Sequence, residues 1–530
     1  MLTPWRFALS AAVAALAASA AAAAQVATAQ VATADVVIES GVLAGASDRG
    51  LRVYKGVPYA AAPVGDLRWR PPAPKAPWRG TRQALSFAPA CMQKGVSMPG
   101  ENPPAISEDC LFLNIWAPRA SAREHLPVIV WIHGGGYRNG SAAMPLYWGD
   151  RLAAKGVIVV TIAYRLGPLG FLALPELTRE SPQHSSGNYG LMDQIAALEW
   201  IQRNIAAFGG DPNRVTIAGQ SSGAMSVSVL MASPRAKGLF RRAIGESGGL
   251  FEPLQLAPNY LLANAELDGA KYAASLGTPS LQALRLLPAA ELLGGDDAGG
   301  VTHPVIEPNV LPLAPADAFV AARQNDVPLL IGSNTEEARA LTDVTHVKAA
   351  TFDADVERSF GRLPPALAAA YPHATDAQAP QALLDLQRDL RFGWDMWAWA
   401  RLQAATGHEP VYYYSFRQRP PFPIGSIYEG WGASHFAELW YAFDHLDQWP
   451  WHWSRGDRNL AAAMSSYWVN FAKSGNPNGG GLPLWPAFTN TGEVQSLGDP
   501  ITVGGVANIE SLRALDAVYA SVRGKALAAR

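Results

Sequence analysis

Two serines in this chain stand in the pattern Gly-x-Ser-x-Gly: Gly219-Gln220-Ser221-Ser222-Gly223 and Gly245-Glu246-Ser247-Gly248-Gly249. Such a serine can occupy a sharp strand-to-helix turn that projects its hydroxyl at a substrate, because the flanking glycines tolerate a tight backbone. The surroundings separate the two copies. The β-branched run Arg214–Ala218 enters the first, and Ala224–Met231 leaves it with a composition that can form a helix. The N-terminus of that helix favours developing negative charge. The second copy follows Arg241–Gly245 but leads into Gly-Gly-Leu-Phe-Glu-Pro, a poor helix start. Ser221 is therefore the expected nucleophile, and Ser247 is expected to be structural or to support the site.

A neutral serine hydroxyl is a weak nucleophile, so it needs a base and donors for the oxyanion it creates. Trp131-Ile132-His133-Gly134-Gly135-Gly136-Tyr137 follows the apolar run Pro127–Ile132. Three consecutive glycines let backbone N–H groups close on a carbonyl oxygen, as in the oxyanion loop that follows an early strand. A phosphate cradle would require a terminal Gly-Lys-Ser/Thr, which is absent. In this order of motifs the acid and then the histidine come later. Val327–Ile331 reads as a strand and runs into Gly332-Ser333-Asn334-Thr335-Glu336-Glu337, two adjacent carboxylates between which spacing does not choose. Of ten histidines, His435 lies in the small-residue segment Trp431-Gly432-Ala433-Ser434-His435 and is the favoured base, with His445 and His452 as rivals.

The elements around these motifs alternate between β-branched runs and helical patterns, as in a mostly parallel sheet flanked by helices. Leu111–Trp116, Pro127–Ile132, Val157–Tyr164, Arg214–Ala218, Arg241–Gly245, Val327–Ile331 and Pro410–Phe416 read as strands. Gly190–Phe208 and Gly223–Met231 read as helices. Helical stretches near 260–300 and 350–405 are expected as insertions over one sheet, so that 36–530 forms a single domain. The 530 residues carry 42 Lys+Arg and 44 Asp+Glu, a net charge of −2, with no basic block. That balance excludes nucleic acid as the main partner. Arg6 followed by the small apolar run to Ala24 reads as a secretory signal peptide, residues 1–24. The repeated QVATA after it reads as a flexible spacer over 25–35, so the protein is expected in the periplasm or secreted. The only two cysteines, Cys91 and Cys110, are expected to form one bridge in that compartment.

These residues resemble the type-B carboxylesterase family of α/β hydrolases, which also includes the cholinesterases. The resemblance extends from about Val36 onward. It rests on Gly56-Val57-Pro58-Tyr59-Ala60, Leu67-Arg68-Trp69-Arg70-Pro71-Pro72, Ser107-Glu108-Asp109-Cys110-Leu111-Phe112-Leu113-Asn114 and Tyr164-Arg165 with Gly170-Phe171-Leu172. Further matches are Gly187-Asn188-Tyr189-Gly190-Leu191 through Phe208-Gly209-Gly210-Asp211-Pro212, then Trp468-Val469-Asn470-Phe471-Ala472 and Gly475-Asn476-Pro477. It implies the α/β-hydrolase fold, with large helical insertions over the active site. It also implies a Ser-His-Glu triad of Ser221, His435 and Glu337, choosing Glu337 over Glu336. Oxyanion donors are implied at the N–H groups of Gly135, Gly136 and Ser222, and Cys91–Cys110 is implied as the family's early disulfide. The implied reaction is carboxylic ester hydrolysis through an acyl-serine, with a small-molecule ester as partner and no metal or organic cofactor. The chain departs from the family pattern at Gln220 and Ser222, where Glu and Ala are usual, and at Ala338 in place of Gly.

Tyr137, Gln220 and Trp431 are expected to border the substrate pocket, in which late aromatic residues would form a wall. Trp394 and Trp397, three apart on a helix, read instead as core. A lactonase, thioesterase or amidase would use the same acyl-enzyme chemistry. A non-catalytic binding protein on the same fold is the alternative of a different class.

Overall fold

The computed structural model describes residues 33–527, apart from 96–97, 99–104, 120–123, 279, 295–297 and 490–491. The expected signal peptide and most of the expected spacer lie outside the described residues. Residues 33–35, expected to close that spacer, are already strand.

The sheet contains β1 (Thr33–Ile38), β2 (Gly41–Asp48), β3 (Leu51–Pro58), β4 (Phe112–Pro118), β5 (Leu126–Ile132) and β6 (Ile158–Ile162). It continues with β7 (Gly210–Gln220), β8 (Arg242–Glu246), β9 (Leu329–Asn334), β10 (Val411–Phe416), β11 (Val494–Leu497) and β12 (Thr502–Gly504). The spatial order is β1-β2-β3-β4-β6-β5-β7-β8-β9-β10-β11-β12, with the short strand Thr81–Gln83 paired to β2. From β6 to β11 every pairing is parallel, and the two flanks are antiparallel. This is the mostly parallel sheet expected from the alternating runs. The flanking strands β1–β3, β11 and β12 were not among the expected elements.

β5 shows why the sheet is buried on both faces. Val128, Val130 and Ile132 belong to one core cluster, while Ile129 and Trp131 belong to another. The two-residue side-chain period of a strand sends alternate residues to opposite faces. The first face is covered by α1 (Tyr189–Asn204), through Leu191, Ile195 and Leu198, and by α2 (Ser222–Ala232). The second is covered by α7 (Arg455–Ser474), whose Leu460, Met464, Tyr467 and Phe471 recur at helical spacing. Ser454 and Asp457 cap the start of α7 reciprocally, satisfying amides that the helix cannot pair itself.

The insertions are broken into shorter helices than the two long stretches expected. They include α3 (Leu262–Ser275), α4 (Phe352–Phe360), α5 (Ala379–Arg388) and α6 (Trp394–Thr406), and α8 (Ile509–Arg523) closes the chain. A single wider π-helical turn, Asp389–Gly393, joins α5 to α6. The Cys91–Cys110 disulfide forms, both residues being buried.

One buried ion pair ties α1 to the segment after β6. Arg165 donates from Nε and Nη2 to the two carboxylate oxygens of Asp193, at 2.8 and 2.7 Å, and its backbone N–H adds a third bond at 3.0 Å. Burial pushes the Asp193 carboxyl up despite Arg165. Removing one partner leaves a guanidinium stranded in the core. Asp193→Ala is expected to lower stability by about 3–5 kcal/mol in denaturant unfolding; a change within experimental error would deny the pair that role.

Candidate active site

Ser221 lies where β7 meets α2. β7 is held between β5, with Gly219 opposite Ile132, and β8, with Gln220 opposite Glu246. Ser221 then turns at φ 57° and ψ −129°. A non-glycine residue in this region costs on the order of 1–3 kcal/mol, so its surroundings must impose it. They do: the Ser221 N–H donates to the Glu246 carbonyl at 2.9 Å, and the Ser221 carbonyl accepts the first helical bond from Met225 at 2.9 Å. A Cβ on Gly223 would collide with the carbonyl oxygen of Ile132, so only glycine lets α2 pack this closely on β5.

The glycine loop follows β5. Gly135 has φ +111°, and a Cβ there would strike the Asn139 backbone. Neither the Gly135 nor the Gly136 amide donates to an acceptor among the described residues. The Ser222 hydroxyl, at a position where the family usually has Ala, accepts from the Tyr137 N–H at 3.3 Å and so links the loop to α2. His133, just before the glycines, stacks on Tyr164 with ring centroids 4.5 Å apart. Burial lowers its pKa to about 4, so it stays neutral.

At the end of β9 the two candidate carboxylates part company. Glu337 is fully buried; its Oε2 lies 2.6 Å from His435 Nδ1, and its Oε1 accepts from the Asn334 N–H at 2.8 Å. Glu336 points the other way, bonded to Arg419, Arg339 and the Ala433 N–H. Burial works against its charge, but these partners hold its carboxyl below the usual range. The His435 segment is tied to the same strand end, because Asn334 Nδ2 donates to the Ser434 carbonyl at 2.7 Å and the His435 N–H donates to the Glu337 carbonyl at 3.2 Å. The rival His445 is bonded elsewhere, to Leu146 and Asp150, and His452 is exposed.

Ser221, Ser222, Gly135, Gly136 and His435 line one cavity of about 920 Å³. Within it the Ser221 hydroxyl makes no hydrogen bond among the described residues. The Gln220 amide nitrogen instead lies 3.2 Å from Nε2 and 3.4 Å from Nδ1 of His435. On this ring Phe392 also stacks, with centroids 4.4 Å apart. Serine–base hydrogen bonds often tighten only when substrate is present.

The second Gly-x-Ser-x-Gly copy makes a similar turn, with Ser247 at φ 51° and its N–H donating to the Gly332 carbonyl at 2.8 Å. A loop follows it, not a helix, and its hydroxyl is buried outside that cavity. The neighbouring Glu246 is also buried and accepts from Trp468 Nε1 at 2.8 Å.

The expected pocket residues need correction. Tyr137 turns back into the core at φ 60°, its ring on Phe171 and its hydroxyl accepting from Ser226. Gln220 is buried against His435. Trp431 packs on Phe422 and Tyr428 within a separate aromatic cluster that includes Trp440 and Trp451. None of the three borders the cavity. Its wall combines aliphatic residues such as Leu363, Leu367, Leu515 and Val518 with the rings of Phe360, Phe392, Phe436 and Tyr519, and it also carries Arg362, Arg391, Glu252 and Asp395. Trp394 and Trp397 are core, as their spacing indicates. Sequence reasoning missed this wall, since apolar residues on insertion helices look the same whether they face a core or a cavity.

The family model described as the carboxylesterase family matches residues 32–508. The chain is 38% identical over 492 residues to the fumonisin B1 esterase of Sphingopyxis macrogoltabida, covering 88% of this chain and 86% of that one. It is 34% identical to the para-nitrobenzyl esterase of Bacillus subtilis, covering 87% and 94%. A solved PNB esterase superposes with a TM-score of 0.79 at 33% identity, covering 91% of this chain and 99% of the other.

Two outcomes are expected. Burial pushes Glu246 up to about 8, so the folded state holds this proton more tightly than the unfolded chain does. The stability this contributes is complete below the unfolded value near 4.5 and is lost as pH rises through about 8. Unfolding free energies of Glu246→Gln measured against pH should lack that loss; parallel curves for variant and wild type would refute it. Gln220→Glu sets an anion against His435, which favours the imidazolium. The acid limb of its kcat/KM–pH profile should move to higher pH, and an unmoved limb would show that the side chain at 220 does not act on the ring.

With the geometry and the comparisons in agreement, the chain belongs to the carboxylesterase family and is a carboxylic ester hydrolase on the α/β-hydrolase fold.

Proposed function

We propose that Ser221, His435 and Glu337 form the catalytic triad and that the N–H groups of Gly135, Gly136 and Ser222 form the oxyanion hole. The observation that carries this reading is the 2.6 Å contact between His435 Nδ1 and buried Glu337, on a ring that faces the same cavity as the strained Ser221. Glu337 holds the imidazole with Nδ1 protonated, leaving Nε2 to accept a proton. Ser221 Oγ then bonds to the ester carbonyl carbon as its proton passes to His435. The carbonyl oxygen becomes an oxyanion held by the three amides, each worth on the order of 3 kcal/mol to the barrier. Collapse breaks the C–O bond to the alcohol, which leaves with the proton from His435, and an acyl-Ser221 remains. Water, deprotonated by His435, attacks that acyl carbon, and collapse breaks the bond to Ser221 Oγ, which takes the proton back from His435 as the acid leaves.

The large number of aliphatic and aromatic residues lining the cavity supports small-molecule esters with apolar bodies as substrates. The relatives named for para-nitrobenzyl and fumonisin B1 esters fit that class. Export of the chain is part of the same reading, supported by the apolar run after Arg6 and by the Cys91–Cys110 disulfide. No helix among the described residues is long and apolar enough to cross a membrane.

A panel of p-nitrophenyl esters from acetate to laurate, together with a fluorophosphonate label, tests the assignment. Ser221→Ala is expected to lower kcat by at least about 10⁴-fold and to abolish labelling, while Ser247→Ala stays folded with measurable turnover and labels. Retained turnover and labelling in Ser221→Ala would overturn it.

A further inference from the structure

Two arginines, Arg362 and Arg391, line the same cavity as Ser221. Arg391 belongs to the π-helical turn Asp389–Gly393, between Leu390 and Phe392, and all three of these residues line the cavity. Single π-helical turns are rare and recur at functional positions. Here the turn sets the guanidinium beside the reacting groups, because Phe392 is the ring that stacks on His435 with centroids 4.4 Å apart.

The Arg391 side chain is aimed. Gln387, four positions earlier and buried, accepts from Arg391 Nε at 2.6 Å. That bond occupies the Nε side of the guanidinium. The two Nη groups have no hydrogen-bond partner among the described residues. A pair of N–H groups at the end of a fixed plane matches the two oxygens of a carboxylate.

No acid of the protein takes that place. Asp385 and Asp389, on α5 and the π-helical turn, bind Arg388 at 2.6 and 2.7 Å. Asp395, four positions further on, turns instead to the Phe251 N–H at 3.2 Å. Burial pushes both Asp395 and Glu252 toward the neutral form, and the cation acting on both is Arg523. Burial also works against the charge of Arg391, and no carboxylate among the described residues offsets this. Arg358 is held by Asp355 at 3.2 Å, whereas nearby Arg362 makes no ion pair among the described residues. An open guanidinium fork among aliphatic and aromatic side chains favours an anion, because apolar surroundings strengthen a charge-assisted bond. One guanidinium balances the single charge of a carboxylate; a phosphate monoester would bring a second charge into the apolar surround.

We infer that Arg391 is a specificity residue for esters whose apolar body carries a carboxylate, with Arg362 adding positive potential along the same lining. This rests on the esterase reading above and adds a substrate class to it.

The test uses two pairs of esters that differ in charge. Mono-p-nitrophenyl adipate is compared with p-nitrophenyl hexanoate, and p-acetoxybenzoate with methyl p-acetoxybenzoate, which puts the carboxylate first on the acyl side and then on the alcohol side. Each kcat/KM is normalised to the uncatalysed hydrolysis of that ester. In the wild type the charged member of at least one pair should be favoured by about tenfold or more. That ratio is read within each variant, so a general loss of activity cancels. It should fall by at least about tenfold in Arg391→Gln and by less in Arg362→Gln. A wild type that favours the charged member of neither pair overturns the inference, as does a ratio that survives Arg391→Gln. If Arg391→Gln does not fold, Arg391→Met takes its place, and the wild-type comparison still decides. Should none of these esters be turned over, calorimetry of adipate on the full chain separates the two readings. Adipate binding that Arg391→Gln removes sinks the esterase reading and leaves this site standing; no binding overturns both.

Discussion

The site depends on one strained turn. Ser221 adopts a backbone conformation that a free chain avoids, and three independent contacts hold it there: the Glu246 carbonyl on its N–H, the start of α2 on its carbonyl, and the close packing of Gly223 on Ile132. Each contact comes from a different strand or helix, so the turn is held by the paired strands β5, β7 and β8 together with α2. Placing Ser221 is therefore a property of the assembled sheet and not of the five-residue motif. The second Gly-x-Ser-x-Gly copy makes the point by contrast. It has the same pattern and a similar φ at Ser247, but no helix leaves it, and its hydroxyl remains in the core.

The carboxyl groups near this turn show how environment divides one chemistry into different tasks. Glu336 and Glu337 are adjacent in sequence, yet a helical turn sends one to two arginines at the surface and the other inward to His435. The first remains an ordinary ion-pair partner. The second is enclosed, with a backbone amide and an imidazole as its partners. Glu246, a third acid close by, meets an indole and holds its proton near neutrality. Low polarity around the two buried acids, Glu337 and Glu246, makes the identity of each hydrogen-bond partner decisive.

The parts of this arrangement that were legible in the sequence are those where a backbone requirement restricts the residue type. Glycines around Ser221 and at 134–136 mark places where the chain must pass close to itself, and the β-branched runs mark the central strands. Choosing Glu337 over Glu336 was beyond spacing and came from family resemblance. The pocket was misread because nearness along the chain was taken for nearness to the substrate. Tyr137 and Gln220 adjoin the glycine loop and Ser221, but a positive φ at one and strand alternation at the other turn their side chains away from the cavity. Glu252 and Asp395 carry no motif, and 143 positions separate them. Only the fold brings them together. Of the flanking strands, β1 alternates exposed and buried residues, β2 carries four glycine or alanine positions among its first six residues, and Lys55-Gly56 interrupt the apolar run of β3, so they lack the dense apolar signal of the central strands.

The cavity wall is built from α8, from the π-helical turn and from the insertion around α4, none of which supplies a strand to the parallel core or a member of the proposed triad. Replacement of Leu515, Val518 or Leu363 can thus reshape what fits without disturbing the backbone at Ser221. Chemistry and appetite are inherited on separate stretches of the chain. A lineage built this way can acquire new diets by small changes at its periphery while the reaction centre stays untouched.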